Sequence, residues 1–186
     1  MGKVIVISGH SGAGKTTIAY EILKMISSVK KIVTCTTRKI RKGEKDGKDY
    51  KFVSKKQFEK WIKEKKLNEY KEYSGNYYGS LKEDVKKILD SGKNAMFVVE
   101  TKGALTFKKR FENALIIFIK APSLNELSQR LRNRGESEKV IEKRILEVVD
   151  ELEREKYFDY IVINDKLSVA VEEVKKIIEK ELKKWA

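Results

Sequence analysis

The sequence predicts one α/β domain with small lobes, built as a three-layer αβα sandwich around a central parallel sheet. Short apolar runs rich in β-branched residues alternate with longer segments whose apolar residues recur at helical spacing. This alternation is typical of parallel α/β folds. A glycine-rich loop joins the first apolar run to the first helical segment. A chain of 186 residues is long enough to bury roughly 70% of its unfolded surface in one core.

The individual elements follow from these two patterns, taken in chain order. The predicted strands are Val4–Ser8, Ile32–Thr36, Asn94–Val99, Leu115–Ile119 and Tyr160–Ile163. The predicted helices are Lys15–Ser28, Leu81–Leu89, Gly103–Arg110, Leu124–Asn133, Glu138–Lys156 and Val169–Lys184. Apolar residues return every three or four positions along the last helix, at Leu167, Val171, Val174, Ile178, Leu182 and Trp185. After the turn at Pro122, Ser123 is expected to cap the helix that begins at Leu124.

Two segments interrupt the alternation, and neither has enough apolar residues for a large core. The first, 34–80, is rich in Lys, Gly, Tyr and Glu and has a short helical pattern around Phe58, Trp61 and Ile62. The second, about 123–150, carries four arginines around a glycine, at Arg130, Arg132, Arg134 and Arg144. We expect both segments to be excursions from the main sheet that carry function.

Composition restricts the partners of the chain. Lysine and arginine number 42 against 28 acidic residues, which gives a formal net charge of +14. The lysines are scattered among glutamates, whereas a nucleic-acid interface should cluster its basic residues on one element, so the pattern argues against nucleic acid. The single cysteine excludes an internal disulfide, and no apolar run reaches the roughly 20 residues that span a bilayer. A cytoplasmic protein without a membrane partner is therefore expected.

The glycine-rich loop fits the pattern GxxxxGK[ST]. Glycines in such a loop let the backbone turn so that several N–H groups point inward, at the positive end of the following helix, where a polyphosphate can bind. The lysine then reaches the β- and γ-phosphates, and the next hydroxyl faces Mg²⁺. A glycine-rich turn without a ligand is the alternative, but the preceding strand and the following helix favour phosphate binding. The expected ATP-binding residues here are Gly9, Ser11, Gly12, Ala13, Gly14, Lys15, Thr16 and Thr17.

Longer blocks in the first excursion identify a family resemblance. The segment 34–52 reads TCTTRKIRKGEKDGKDYKF, and 74–80 reads SGNYYGS, with Glu69 between them. In these blocks, and in GHSGAGKTT at the loop, the chain resembles the guanylate kinases over nearly its whole length. The resemblance implies a P-loop enzyme that transfers the γ-phosphoryl group of Mg·ATP to GMP, with Mg²⁺ as cofactor and ATP and GMP as substrates.

The resemblance also implies the residues that bind GMP. Arginines and phenols would hold the phosphate, because charge-assisted and neutral donors both suit a dianion. A carboxylate would accept from N1–H and N2–H₂ of guanine, and a hydroxyl would donate to its O6. Each residue taken alone has a structural alternative: a solvated arginine, a packed tyrosine, or a glutamate paired with a lysine. The implied set is Thr34, Arg38, Arg41, Tyr50, Glu69, Tyr78, Gly79, Ser80 and Glu100.

For the second excursion the resemblance implies a mobile lid whose arginines close over the ATP phosphates. Arg130, Arg134 and Arg144 would bind ATP there, although Arg130 and Arg132 also suit ordinary i,i+4 pairs on a surface helix. Asn164 and Asp165 match a family Asn-Asp pair and would lie beside the adenine. The implied catalytic residues are Lys15, Arg38, Arg41, Arg134 and Arg144.

The chain departs from the family pattern at two places. Where the family has D-x-D-x-Q-G, this chain has Val98-Val99-Glu100-Thr101-Lys102-Gly103. Glu100 still offers a carboxylate at a strand end, where it can hold a Mg²⁺-bound water or orient an arginine, while Thr16 contacts the metal. The lid is also one residue shorter between Arg134 and Arg144, which rotates Arg144 by about 100° unless the deletion lies in a turn.

These observations predict an ATP:GMP phosphotransferase with direct in-line transfer. Its core would comprise 1–33 and 81–186, with the lid at about 123–150, and its GMP-binding lobe would comprise 34–80. Two alternatives stay open: a non-catalytic guanylate-kinase-like binding module, and a kinase of a different small phosphoryl acceptor. The chain is expected to be a monomer or a weak homodimer.

Overall fold

The computed structural model describes residues 2–41, 43–73 and 75–184. It divides into two compact units, one of 3–29 and 96–186, the other of 30–95 with Gly2. The strands are β1 (Val4–Gly9), β2 (Val29–Lys31), β3 (Cys35–Thr36), β4 (Lys51–Phe52), β5 (Leu67–Tyr73), β6 (Asn76–Leu81), β7 (Asn94–Val98), β8 (Leu115–Lys120) and β9 (Tyr160–Ile163). The helices are α1 (Lys15–Met25), α2 (Lys55–Lys63), α3 (Lys82–Asp90), α4 (Thr101–Arg110), α5 (Leu124–Asn133), α6 (Glu138–Glu151) and α7 (Leu167–Lys184).

A five-stranded sheet has the order β2-β7-β1-β8-β9, and its strands β1, β8 and β9 lie wholly in the larger unit. Strand β8 pairs in parallel with β1 on one side and with β9 on the other. The strands β1 and β8 are covered on both faces and consist mostly of buried aliphatic residues, whereas Ile161 and Ile163 of the edge strand β9 are exposed. Ile5 and Ile7 contribute to the core between the sheet and the helices α1 and α7, and each buried side chain of this size stabilises the fold by about 1.5–3 kcal/mol.

A second cluster in this unit packs α5 against α6. Leu127 and Leu131 of α5 meet Ile141 and Val148 of α6, so the two helices form one packed hairpin. Ser123 caps α5 as predicted, because its side chain accepts a hydrogen bond of 3.1 Å from the backbone N–H of Glu126. No helix in the described part of the chain combines the length and the apolar character needed to cross a bilayer.

The smaller unit contains a four-stranded sheet of order β4-β3-β6-β5. One face of this sheet packs on α2 through Cys35, Phe58 and Leu67. Burial raises the pKa of the Cys35 thiol to about 11, so the thiol stays neutral and contributes as a small apolar group. In β6, Tyr77 stacks on Phe58 with ring centroids 5.3 Å apart. Because strand side chains alternate, Tyr78 and Ser80 point to the opposite face.

The parallel sheet and most helices confirm the sequence-based predictions, but several bounds were wrong. The predicted strand Ile32–Thr36 is replaced by β2 and β3, which belong to different sheets, because the chain leaves the first sheet where the carbonyl of Thr34 accepts from the N–H of Lys51. The hairpin β5–β6 was not predicted, since its polar face and lysines hide the alternation. The last helix starts at Leu167, which is exposed and not part of the apolar stripe. Trp185 lies outside the described residues.

Candidate active site

The glycine-rich loop runs from the end of β1 to the start of α1, as the sequence predicted. Its turn is closed by a hydrogen bond of 3.1 Å from the N–H of Ala13 to the carbonyl of His10. Gly12 adopts a φ of 91°, and a Cβ there would lie 2.9 Å from Leu127 of α5. The left-handed backbone favours a glycine at this position, and the leucine side chains of α5 pack directly on it. The exposed residues Thr16 and Thr17 follow in the first turn of α1.

Asn164, which directly follows β9, forms a hydrogen bond to the loop through its side chain. Its side-chain Nδ2 donates to the carbonyl of Ala13 at 2.8 Å, and its own backbone N–H donates to Lys120 at 2.7 Å. The residue is buried, and a Cβ on Gly14 would lie only 2.3 Å from Nδ2. Gly14 also has a φ of 94°. The Asn164 amide therefore holds the loop in its turn, a role that the sequence did not indicate.

Lys15 is folded over the loop. Its Nζ donates to the carbonyls of Gly9 at 2.6 Å and His10 at 2.9 Å, and it lies 3.5 Å from the Glu100 carboxylate. Glu100 occupies the N-cap position of α4, directly after β7, and its side chain is 53% exposed. An ammonium that is shared between loop carbonyls and an accessible carboxylate is placed where it can bind a phosphate group of a nucleotide. The side chain of Lys102 lies outside the described part of the chain.

A pocket of about 300 Å³ opens beside the loop. Arg130 spans one wall, because its Nε donates to Glu126 at 2.9 Å and its Nη2 donates to the carbonyl of Asn164 at 2.9 Å. Arg130 thus links α5 to the end of β9 by hydrogen bonds, and it also lines the pocket. The exposed Arg134, at the C-terminus of α5, also contributes. The lining residues are Gly12, Gly14, Thr17, Arg130, Asn133, Arg134, Asn164, Asp165 and Leu167.

Arg144 reaches the loop from α6. Its Nη1 donates to the hydroxyl of Ser11, and its Nε lies 2.7 Å from a carboxylate oxygen of Glu136. The short turn between α5 and α6 is completed by Gly135, with a φ of 81°. The lid therefore presents Arg144 to the loop although the segment is one residue shorter than the family pattern.

In the smaller unit, Arg38 and Glu44 form a two-pronged ion pair. Nη1 and Nη2 of Arg38 donate to the two carboxylate oxygens at 3.0 and 2.7 Å. The Arg38 hydrogen bond lowers the pKa of the Glu44 carboxyl, and Glu44 in turn raises the pKa of the Arg38 guanidinium. The backbone N–H of Arg41 donates to Glu44 at 2.8 Å, and the Arg41 side chain is exposed. Glu44 thus binds the guanidinium of Arg38 and the backbone of Arg41, the two predicted phosphate-binding arginines.

Two phenols stand beside Arg38. The rings of Tyr50 and Tyr78 lie 6.1 Å apart in an edge-to-face arrangement, and the Arg38 guanidinium lies 5.5 Å from the Tyr50 ring centre. Burial raises the pKa of the Tyr50 phenol. At neutral pH the hydroxyl therefore keeps its proton and can donate a hydrogen bond to an anion. The structure thus brings three of the predicted phosphate ligands together.

Glu69 and Ser80 meet across β5 and β6. The Ser80 hydroxyl, fully buried, donates to the Glu69 carboxylate at 3.0 Å. A β-bulge between Leu67 and Glu69 changes the register, and it turns Glu69 away from the α2 side, where Leu67 packs. Gly79, next to Ser80, is buried, and a Cβ there would lie 2.6 Å from the Glu69 carbonyl oxygen and 3.1 Å from the Phe58 ring. Glu69 is therefore oriented before any ligand binds.

Three residues with evident structural roles, Glu44, Glu136 and His10, were not among the predicted site residues. Glu44 lies inside the segment 34–52 that carries the family resemblance, so the sequence could have indicated it. Glu136 pairs with Arg144 across a turn, and no regular residue spacing predicts that pair. Thr34 contributes its backbone carbonyl to Lys51. His10 is buried and packs edge-to-face on Phe118 with ring centroids 4.9 Å apart. Ser74, in the SGNYYGS segment, lies outside the described residues.

Comparison with known proteins gives one consistent result. Residues 1–181 match the family model described as guanylate kinase. The chain is 43% identical to a guanylate kinase of Desulfitobacterium hafniense over 95% of this chain and 89% of that protein. It is 42% identical to one of Halalkalibacterium halodurans over 95% of this chain and 87% of that protein. The crystal structure of guanylate kinase from Anaplasma phagocytophilum matches with a TM-score of 0.78, at 28% identity, over 97% and 86% of the two chains.

We predict that Gly14→Ala prevents ATP binding and destabilises the fold. The substitution forces an L-residue into a left-handed backbone, which costs about 1–2 kcal/mol, and it also drives a methyl group into Asn164. Gly92→Ala is the matched control, because Gly92 has a φ of 74° with open space around it. Urea unfolding should show the larger loss for Gly14→Ala, and ATP titration should show a loss for this variant alone. Normal ATP affinity in Gly14→Ala would contradict the tight fit of the loop.

Proposed function

The chain belongs to the guanylate kinase family, and from this premise we propose that it transfers the γ-phosphoryl group of ATP to GMP. The observation that carries the proposal is the Glu69–Ser80 pair beside the Arg38 cluster. Together they offer a base-reading carboxylate and a phosphate-binding guanidinium in one unit. A phosphate loop alone indicates only that a polyphosphate binds.

ATP binds at the loop and in the pocket beside it. Backbone N–H groups of the loop face the β- and γ-phosphates, and Lys15 exchanges its loop carbonyls for phosphate oxygens. Ser11 and Arg144 meet at the same loop, so the guanidinium is placed to neutralise charge on the transferring group. Arg134, Asn164 and Asp165 line the rest of the pocket, which suits the remainder of the nucleotide.

GMP binds in the smaller unit. Nη1 and Nη2 of Arg38 donate to Glu44, and Nη1 also donates to the carbonyl of Lys39 at 2.7 Å. The remaining N–H groups of Arg38 would bind a phosphate dianion together with Arg41 and the hydroxyls of Tyr50 and Tyr78. The Glu69 carboxylate accepts from N1–H and N2–H₂ of guanine, while Thr34 and Ser80 lie with it among the base-binding residues. Adenine presents a different edge and would not supply the N1–H and N2–H₂ donors to the half-buried Glu69 carboxylate, which is the condition for strong discrimination.

Thr16 and Glu100 would hold Mg²⁺, the metal through which ATP is presented. The donor set fits a hard cation, because a hydroxyl and a carboxylate at a strand end supply oxygen ligands, and Glu100 is accessible to solvent. The ion would neutralise charge on the β- and γ-phosphates and leave its remaining positions to water. Glu100 would hold one such water, and its contact with Lys15 would link the metal site to the phosphate loop.

The transfer needs no general base. A GMP phosphate oxygen is already anionic near neutral pH, so it attacks the γ-phosphorus in line as the bond to ADP breaks. The protein's contribution is to hold two anions that repel each other and to stabilise the charge of the transition state. Lys15, Arg38, Arg41, Arg134 and Arg144 supply that positive charge. A non-catalytic binding module does not require a complete phosphate loop with its lysine and hydroxyl. The intact loop therefore favours a phosphotransferase over such a module.

The first prediction from this mechanism concerns Lys15. Lys15→Ala should lower kcat by roughly 10²- to 10³-fold, because a charge-stabilising donor in the transition state is lost. Lys24→Ala is the control, since Lys24 lies on the same helix and contacts Glu21 and the Tyr20 ring on the surface. A coupled assay of ADP release measures both variants, and circular dichroism checks the fold. Near-normal turnover of Lys15→Ala would refute the donor site.

The second prediction concerns the base. Glu69→Gln should lower kcat/KM for GMP by roughly 10- to 150-fold, the value of hydrogen bonds to a charged group. Glu72→Gln, on the same strand and exposed, should leave it unchanged. A panel of GMP, AMP, UMP and CMP with the unmodified protein supplies the reference. Preference for any of the other three nucleotides would show a different phosphoryl acceptor.

The third prediction concerns the metal. Glu100→Gln should lower turnover and raise the Mg²⁺ concentration needed for half-maximal rate, because a neutral amide binds a metal-bound water less strongly than a carboxylate does. Glu112→Gln, in an exposed turn after α4, serves as the control. Phosphorylation of GMP is measured across a Mg²⁺ titration. Full activity of Glu100→Gln at every Mg²⁺ concentration would remove Glu100 from the site.

A further inference from the structure

Glu136, in the turn between α5 and α6, stands in direct contact with Arg144 and is fixed by its backbone. The N–H of Gly135 donates to the carbonyl of Arg132 at 2.8 Å, and the N–H of Glu136 donates to that of Leu131 at 3.3 Å. With Gly135 in the left-handed region, these two bonds form a Schellman cap. Glu136 thus occupies a defined place at the end of α5, and its position does not depend on its side chain.

The partner is presented by the opposite helix of the hairpin. Arg144 lies on α6, and α6 is held against α5 by Leu127, Leu131 and Ile141. The guanidinium Nε lies 2.7 Å from Glu136 Oε2, and both atoms are inaccessible to solvent. The N–H is not directed at the oxygen, so attraction between the two charges holds the pair. Such attraction is screened less than that of a surface pair.

The second arginine–glutamate pair of the lid provides a contrast. Arg132 Nε and Glu138 Oε1 are also 2.7 Å apart, but their side chains are 48% and 62% exposed, against 29% and 21% for Arg144 and Glu136. Exposed pairs contribute little to stability or to orientation. Only the Glu136 pair has a guanidinium that also contacts the phosphate loop, through Ser11.

We propose that Glu136 is a positioning residue for phosphoryl transfer. It fixes the Nε edge of Arg144, so that the opposite edge of the guanidinium faces the phosphates at the loop. A long arginine side chain otherwise loses considerable rotamer entropy when it binds, and Glu136 removes part of that loss beforehand. The inference rests on the proposed role of Arg144 at the ATP phosphates, which gives Glu136 a task other than packing.

The test combines Glu136→Gln, which keeps the shape and removes the charge, with Glu138→Gln as the matched control. Glu136→Gln should lower kcat for GMP phosphorylation roughly tenfold and leave KM for GMP unchanged, whereas Glu138→Gln should change kcat by less than about twofold. In an Arg144→Ala background, adding Glu136→Gln should have no further effect on kcat, because the two residues act as a unit.

Two outcomes would overturn the proposal. One is wild-type kcat in Glu136→Gln; the other is an equal fall in kcat with and without Arg144, which would indicate a purely structural role. The ATP affinity of the same variants, measured by titration in the absence of GMP, tests the role of Glu136 independently of which acceptor the protein phosphorylates. If the protein phosphorylates another acceptor, weaker ATP binding in Glu136→Gln but not in Glu138→Gln still supports the positioning role, and equal binding in both contradicts it.

Discussion

The close packing around the phosphate loop is the constraint on which the donor site depends. A Cβ on Gly9 would lie 2.0 Å from the carbonyl oxygen of Ile119, so β1 and β8 meet where the loop begins. Gly12 lies directly under α5, and Gly14 lies against the amide of Asn164. Three elements that are distant in sequence therefore touch the loop backbone itself. Backbone makes the contact at Gly9, whereas the side chains of Leu127 and Leu131 pack on Gly12 and the Asn164 amide packs on Gly14, so these positions leave little room for a side chain of the loop itself.

Glutamates pair with the arginines that are expected to bind phosphate. Glu44 holds Arg38 with both carboxylate oxygens, Glu126 holds the Nε of Arg130, and Glu136 holds Arg144. An arginine has five N–H donors in a rigid plane, so a partner on one edge leaves the other edge available in a known direction. The carboxylates weaken the local positive charge, but the formal net charge of +14 leaves a strongly positive protein. The arginine side chains are therefore oriented by their carboxylate partners, while the positive net charge of the protein still attracts nucleotides.

The sequence predicted those features that depend on local patterns. The loop, the buried strands of the large sheet and the cap at Ser123 are encoded by neighbouring residues, and the structure has them at the expected places. The hairpin β5–β6 was missed because only one of its faces packs, and a bulge breaks its alternation. The brace from Asn164 to Ala13 joins residues 151 positions apart. Contacts of this kind arise from topology, and a single sequence carries no sign of them.

The position of Glu100 shows how topology preserves a role when a motif changes. The phosphate loop follows β1, Glu100 follows β7, and Asn164 follows β9, so all three lie at carboxyl ends of strands, where open α/β sheets bind their ligands. The backbone N–H of Val99 donates to Ile7 of β1 at 3.1 Å, and this bond fixes where the chain leaves the sheet. A glutamate in place of the family's aspartate extends the carboxylate by one methylene, yet it still reaches Lys15 at 3.5 Å. The strand end determines where the acid stands, and the side-chain length only adjusts how far it reaches.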